Sequence, residues 1–111
     1  MGYVPDRGDA VWLTFNPQAG HEQAGRRPGL VLSPALYNGR AQLALICPIT
    51  NQDKGYPYHV VIPAGLKITG FVQADQIKSL DWVSYQIEFI TKMPDELTQS
   101  VLEKLETLLQ V

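Results

Sequence analysis

A single cysteine, Cys47, excludes an internal disulfide, so the fold must be held by its own core, and a free thiol suits a reducing compartment. With only two histidines beside it, the chain cannot supply the Cys/His spacings of a zinc site. It also lacks a phosphate-cradling Gly-Lys-Ser/Thr loop, a dinucleotide glycine fingerprint and a helical His-Glu-x-x-His. No cofactor is therefore expected, and neither a metalloenzyme nor a nucleotide-dependent enzyme. No apolar run approaches the roughly 18 residues that a membrane span needs. The opening Met1-Gly2-Tyr3-Val4-Pro5-Asp6 shows no basic segment followed by an apolar one. The expected location is the cytoplasm, without membrane contact. Positive charge is scarce too: the net charge of −2 gives none of the basic excess that polyanion-binding domains usually carry.

What is there reads as one ordinary globular domain spanning 1–111, with 45% hydrophobic and 18% charged residues. The negative charge gathers at the end. From Ile90 onward, Lys92 and Lys104 face Asp95, Glu96, Glu103 and Glu106, which leaves the first 89 residues neutral overall and free to hold a local positive site. Runs rich in aromatic and β-branched residues predict strands over Ala10–Phe15, Gly29–Ser33, Gln42–Ile49, His59–Ile62, Phe71–Ile77 and Val83–Ile90. Pro48 marks its strand as an edge or a bulge. Asn16–Pro28 and Asn51–Pro57 read as polar loops. Near the end the period changes: Leu97, Val101, Leu105 and Leu108 recur at spacings of three and four, after Pro94 at a first helical position and Asp95 and Glu96 at the positive end of the dipole. The pattern predicts a mainly β chain with α (α+β), a small, strongly bent or partly open β-barrel closed by an amphipathic C-terminal helix.

The segment Gly20–Pro28 is the most informative. It sets His21 and Glu22, either of which can serve as a base, within six residues of the guanidinium groups of Arg26 and Arg27. Scission of RNA through its own 2′-hydroxyl needs a base to take that proton and fixed positive charge to stabilise the developing phosphorane. Arginine suits the second task because its planar fork matches phosphate oxygens and stays charged. The plainer alternative is a solvated Glu–Arg pair of little energetic weight. Thr50 closes a strand as a turn hydroxyl or a hydrogen-bond donor. Gln76 ends a strand, facing either solvent or a ligand. Tyr56 and Tyr58, beside Lys54, can stack on bases or simply pack. His59 reads as a surface imidazole and Cys47 as a small core hydrophobe.

These segments resemble the MazF/PemK toxin family. The likeness runs from Val4–Asp9 through Gly20–Pro28, Val31–Pro34, Cys47–Thr50 and Lys54–Pro57 to Ala74–Trp82, in colinear order over nearly the whole chain, and Glu-Gln-x-Gly-x-Arg-Pro (Glu22 to Pro28) is specific to the group. The resemblance implies an SH3-like/CcdB-like β-barrel homodimer, the toxin of a type II toxin–antitoxin pair. The implied activity is metal-independent, sequence-specific cleavage of single-stranded RNA (mRNA) to 2′,3′-cyclic phosphate and 5′-hydroxyl ends. It places the catalytic residues at Arg27, Thr50 and Glu22, and RNA contacts at Arg26, His21, Gln23, Lys54, Tyr56, Gln76 and Lys78. Some members carry histidine at the position of Arg26 and a small residue at that of His21. The implied partner besides RNA is a cognate antitoxin whose acidic, disordered tail lies in a groove offering Arg26, Arg27, Lys54 and Lys78 beside Tyr56, Tyr58 and Trp82. The acidic C-terminal helix should lie away from that groove. The competing reading on the same fold is a non-catalytic, CcdB-like poison of DNA gyrase, marked by a Trp-Gly-Ile ending where this chain has Leu109-Gln110-Val111.

Overall fold

The computed structural model describes residues 2–14, 25–53 and 55–110. Among these described residues, seven strands and two helices follow one another as β1 (Asp9–Thr14), β2 (Arg26–Val31), α1 (Ala35–Ala41), β3 (Leu43–Thr50), β4 (His59–Val61), β5 (Phe71–Gln73), a 3-10 turn (Ala74–Gln76), β6 (Lys78–Asp81), β7 (Glu88–Lys92) and α2 (Asp95–Leu109). The strands form one open antiparallel sheet in the order β4-β5-β3-β2-β1-β7, with β6 also paired to β3.

β3 is the hub. Its first half pairs with β6 through Ile46↔Lys78, and its last residues pair with β5 from Ile49↔Val72. Leu32 N–H donates to Leu45 O (2.8 Å), so by two-residue alternation Cys47 and Ile49 face β2 while Pro48 faces the other flank. Pro48 thus falls where the flanking partner changes from β6 to β5 and no ladder donor is required. The expected edge position is corrected: this strand is central, and it accommodates proline at a switch of partners. The same alternation turns Pro28 toward β3, where it has no N–H to give. The β2·β3 ladder stops at Gly29↔Pro48, and beyond it the two strands part.

Both faces of β1 are apolar, which is why it reads as a continuous hydrophobic run. Ala10 joins a cluster with Leu30, Cys47, Val72, Met93, Leu97 and Val101 under α2. Val11 and Leu13 join Val31, Ala44 and Ile46 under the turn that carries Trp82, Tyr85 and Ile87. β2 passes so close to its neighbours that a Cβ on Gly29 would lie 2.7 Å from Ile46 Cγ2. The α2 stripe buries Leu97, Thr98 and Val101, whereas Leu108 and Leu109 stay exposed because the last turn runs past the sheet. Pro94 caps α2 and does not occupy its first turn.

α1 was not expected: seven residues containing Gly39 and Asn38 carry no periodic apolar signal. Tertiary hydrogen bonds hold it instead. Fully buried Asn38 donates to Pro5 O (2.7 Å) and Ser33 O (2.9 Å), and Ser33 Oγ–H donates to its Oδ1 (2.6 Å). The predicted strand Phe71–Ile77 breaks at the 3-10 turn, and Val83–Ile90 begins as a turn before β7.

Candidate functional site

Where β2 and β3 part, a cleft of about 810 Å³ opens, lined by Arg26, Arg27, Pro28, Pro48, Thr50, Asn51, Gln52, Gln73 and Lys78 among others. Among the described residues, three of the lining side chains are cationic and none is a carboxylate, in a chain whose net charge is −2. The neutral first part of the sequence therefore conceals a locally positive groove. Arg26 and Arg27, read from sequence as loop residues, stand on β2. Pairing with β1 (Leu13↔Arg27, Thr14↔Arg26) extends the strand back beyond Pro28 despite the glycine and proline that signal a loop. Continued by two residues past Gly29↔Pro48, the register sets Arg27 across the gap from Thr50.

Thr50 is prepared to donate. Its Oγ1 accepts a hydrogen bond from the Gln52 N–H (3.2 Å), which turns the loop after β3 and leaves the hydroxyl proton for another acceptor. Its backbone is seated against Gly70, whose φ of +122 and lack of a side chain allow the approach: a Cβ there would lie 2.4 Å from Thr50 O.

A smaller recess of about 260 Å³ adjoins the cleft through the shared Gln73 and is lined by Tyr56, His59, Asp75 and Gln76. Tyr56 Oη–H donates to Asp75 Oδ2 (2.9 Å), and that bond, with the carboxylate charge, raises the phenol above its ordinary value and keeps it neutral. His59 is half-buried between Tyr56 (ring centroids 5.5 Å apart, edge-on) and Phe71 (6.0 Å), which corrects its reading as a surface imidazole. His59 Nδ1 and Asp75 Oδ1 are both shielded from solvent without a hydrogen-bond partner among the described residues. Beneath the recess, Cys47 is fully buried; burial, and then the Asp75 charge, push its thiol up to about 12, as befits an inert core residue.

The structure thus brings Arg26, Arg27, Thr50 and Lys78 into the cleft, and Tyr56 and Gln76 into the adjoining recess. His21, Glu22, Gln23 and Lys54 lie outside the described residues. Two expected groove residues sit elsewhere. Tyr58 Oη is hydrogen-bonded to Thr107 Oγ1 on α2 (3.2 Å), and Trp82 Nε1–H donates to Asn38 O (3.0 Å) beside α1. Gln73, Asp75 and Asn51 were missed. The signal available for the first two was three polar residues, Gln73, Asp75 and Gln76, crowded into an apolar run; the 3-10 turn breaks the strand alternation and gathers them. No residue of α2 lines either opening among the described residues. Among those residues, too, no three of His, Cys, Asp and Glu gather closely enough to hold a metal ion, and no helix is long and apolar enough to cross a membrane.

An antiparallel sheet parted at one end over fixed positive charge defines a small β-rich protein suited to gripping a polyanion. Residues 6–109 match the family described as PemK-like, MazF-like toxin of type II toxin-antitoxin system, and the chain belongs to that family. It is 50% identical over 80 residues to the endoribonuclease toxin MazF of Escherichia coli (strain K12), covering 72% of this chain and 71% of that one. The crystal structure of MazF (Form-I) from Deinococcus radiodurans superposes with a TM-score of 0.87 at 53% identity over 97% of this chain and 98% of that one. The MazE-MazF (Form-II) structure from the same organism gives 0.89 at 45% identity, with 99% of each chain covered.

Proposed function

We propose that this chain, acting as one domain over 1–111, is a toxin that cuts single-stranded RNA without a metal ion. The single observation carrying the reading is the cleft: among the described residues, three cations gather around a strand hydroxyl in an acidic protein. In this mechanism the substrate's 2′-oxygen attacks the adjacent phosphorus and loses its proton to a base. The P–O5′ bond breaks, and the leaving oxygen takes a proton. The products are a 2′,3′-cyclic phosphate and a 5′-hydroxyl. Arg27 offers a planar fork to the phosphoryl oxygens as negative charge builds. Thr50, its lone pair engaged by Gln52, donates to the same phosphate. Glu22 is assigned as base or as orienter of the base.

Around that centre, Lys78 and Arg26 hold flanking phosphates, while His21, Gln23 and Lys54 contact the strand from the loops. The recess reads bases: Tyr56 offers a ring to stack on, and Gln76 and Gln73 offer hydrogen bonds to base edges. A cognate antitoxin with an acidic disordered tail is the proposed inhibitor, the homodimer the proposed working form, and the cytoplasm its proposed place. The names of the relatives favour RNA scission over gyrase poisoning.

The test is to incubate the purified protein with a long RNA in excess EDTA and to map the new ends. Cleavage should persist and leave cyclic-phosphate termini. Activity that disappears in EDTA and returns with Mg²⁺, or 5′-phosphate ends, would overturn the reading.

A further inference from the structure

Arg26 and Arg27 are adjacent in sequence but keep different electrostatic company. Among the described residues Arg27 carries no ion pair, whereas Arg26 is paired with Glu88 of β7. The two strands concerned are not neighbours, because β1 runs between them. Thr14 stands opposite Arg26 on one side, and Trp12 stands opposite Glu88 on the other. The Arg26 side chain therefore crosses β1 diagonally over Trp12, with its guanidinium carbon 5.6 Å from the ring centroid. It is held between an aromatic ring and a carboxylate, and yet it lines the cleft.

The hold is an exchangeable one. The two side chains are 42% and 64% exposed, and an ion pair in such a setting changes an equilibrium constant by only about two- to fivefold. A phosphate oxygen entering the cleft presents the guanidinium with the same acceptor chemistry as the carboxylate. We infer that Glu88 competes intramolecularly with RNA phosphate for Arg26. In the empty protein the guanidinium rests on the carboxylate. When a strand enters, it exchanges that partner for a backbone phosphate, and Trp12 keeps the group seated over the sheet in both arrangements. Glu88 thereby lowers the affinity for RNA and sets Arg26 apart from Arg27, which gives up no such partner among the described residues.

The inference rests on reading the cleft as the RNA site, and a double-mutant cycle separates the two. Binding of a mixed-sequence 2′-O-methylated RNA, whose blocked hydroxyl prevents scission, is measured for wild type, Glu88→Gln, Arg26→Gln and the double variant, with thermal melting to confirm that each is folded. Glu88→Gln should tighten binding about two- to fivefold. In the Arg26→Gln background the same change should have no effect. An equal gain in both backgrounds would assign the effect to the general field of the carboxylate. A loss on Glu88→Gln would make the carboxylate a holder that aims Arg26 at RNA. Either result overturns the competition. Protein that cuts RNA but gives no coupling defeats this inference alone, whereas protein that neither binds the probe nor cuts RNA defeats the underlying reading with it.

Discussion

Arg27 and Thr50 are the pair on which the proposed chemistry turns, and the demands on them differ. Arg27 is asked to meet charge that develops only as the phosphorane forms, so its removal should affect the rate constant more than binding. Arg27→Ala is expected to lower the single-turnover rate by roughly 10²–10³-fold. Arg27→Lys should recover only part of the loss, because an ammonium lacks the two-pronged fork. A folded Arg27→Ala protein cutting at a near-normal rate would move the chemistry elsewhere. Both residues were legible in the sequence because a resemblance marked them, and Cys47 because a lone cysteine between Ile46 and Pro48 has little to do but pack. Gln73, Asp75 and the setting of His59 were not legible. Their significance lies in a juxtaposition made by chain segments far apart, and nothing local in the sequence records it. Trp82 shows the opposite error: it was counted with the groove, but its indole N–H is taken by Asn38 O on α1.

Among the elements, strands with strong apolar runs were readable, and so was α2 from its period. The short α1 was not, since its residues are helical by virtue of Asn38 hydrogen bonds to Pro5 and Ser33 and not by propensity. The start of β2 was misread because Gly25 and Pro28 punctuate it as a loop, and pairing with β1 prevails over that local signal. The segment before β5 deserves a direct test. The Gly70 carbonyl accepts from Ile62 N–H (2.9 Å), and a Cβ on this residue would collide with Thr50 O. Gly70→Ala places a methyl where no space exists and strains a φ of +122. Stability should fall by about 1–3 kcal/mol. Cleavage should fall with it even where the variant is fully folded, because Thr50 must shift. Thermal denaturation and single-turnover rates on one preparation check this; unchanged rates in a destabilised protein would show that Thr50 does not need that seat.

For the whole molecule, what matters is the distribution of charge. The acidic α2 packs against the 3-10 turn and β4 and lines neither opening among the described residues, which leaves the cleft positive although the chain is not. On the proposed reading an acidic antitoxin tail and an RNA strand call on the same cations. Titrating the neighbouring antitoxin into a complex of 2′-O-methylated RNA with the protein should displace the RNA, and rising salt should weaken both ligands. Simultaneous binding of the two would separate their sites. The fold carries a further consequence. Pro28 withholds the donor that would carry the β2·β3 ladder on past Gly29↔Pro48, so the chemistry of the chain itself keeps these strands unzipped beyond that pair. The groove stands open from the moment the chain folds, and the carboxylate of Glu88 dampens it by no more than a small factor. On the proposed reading, silence between episodes of use is imposed from outside, by a second protein whose supply sets when cutting begins.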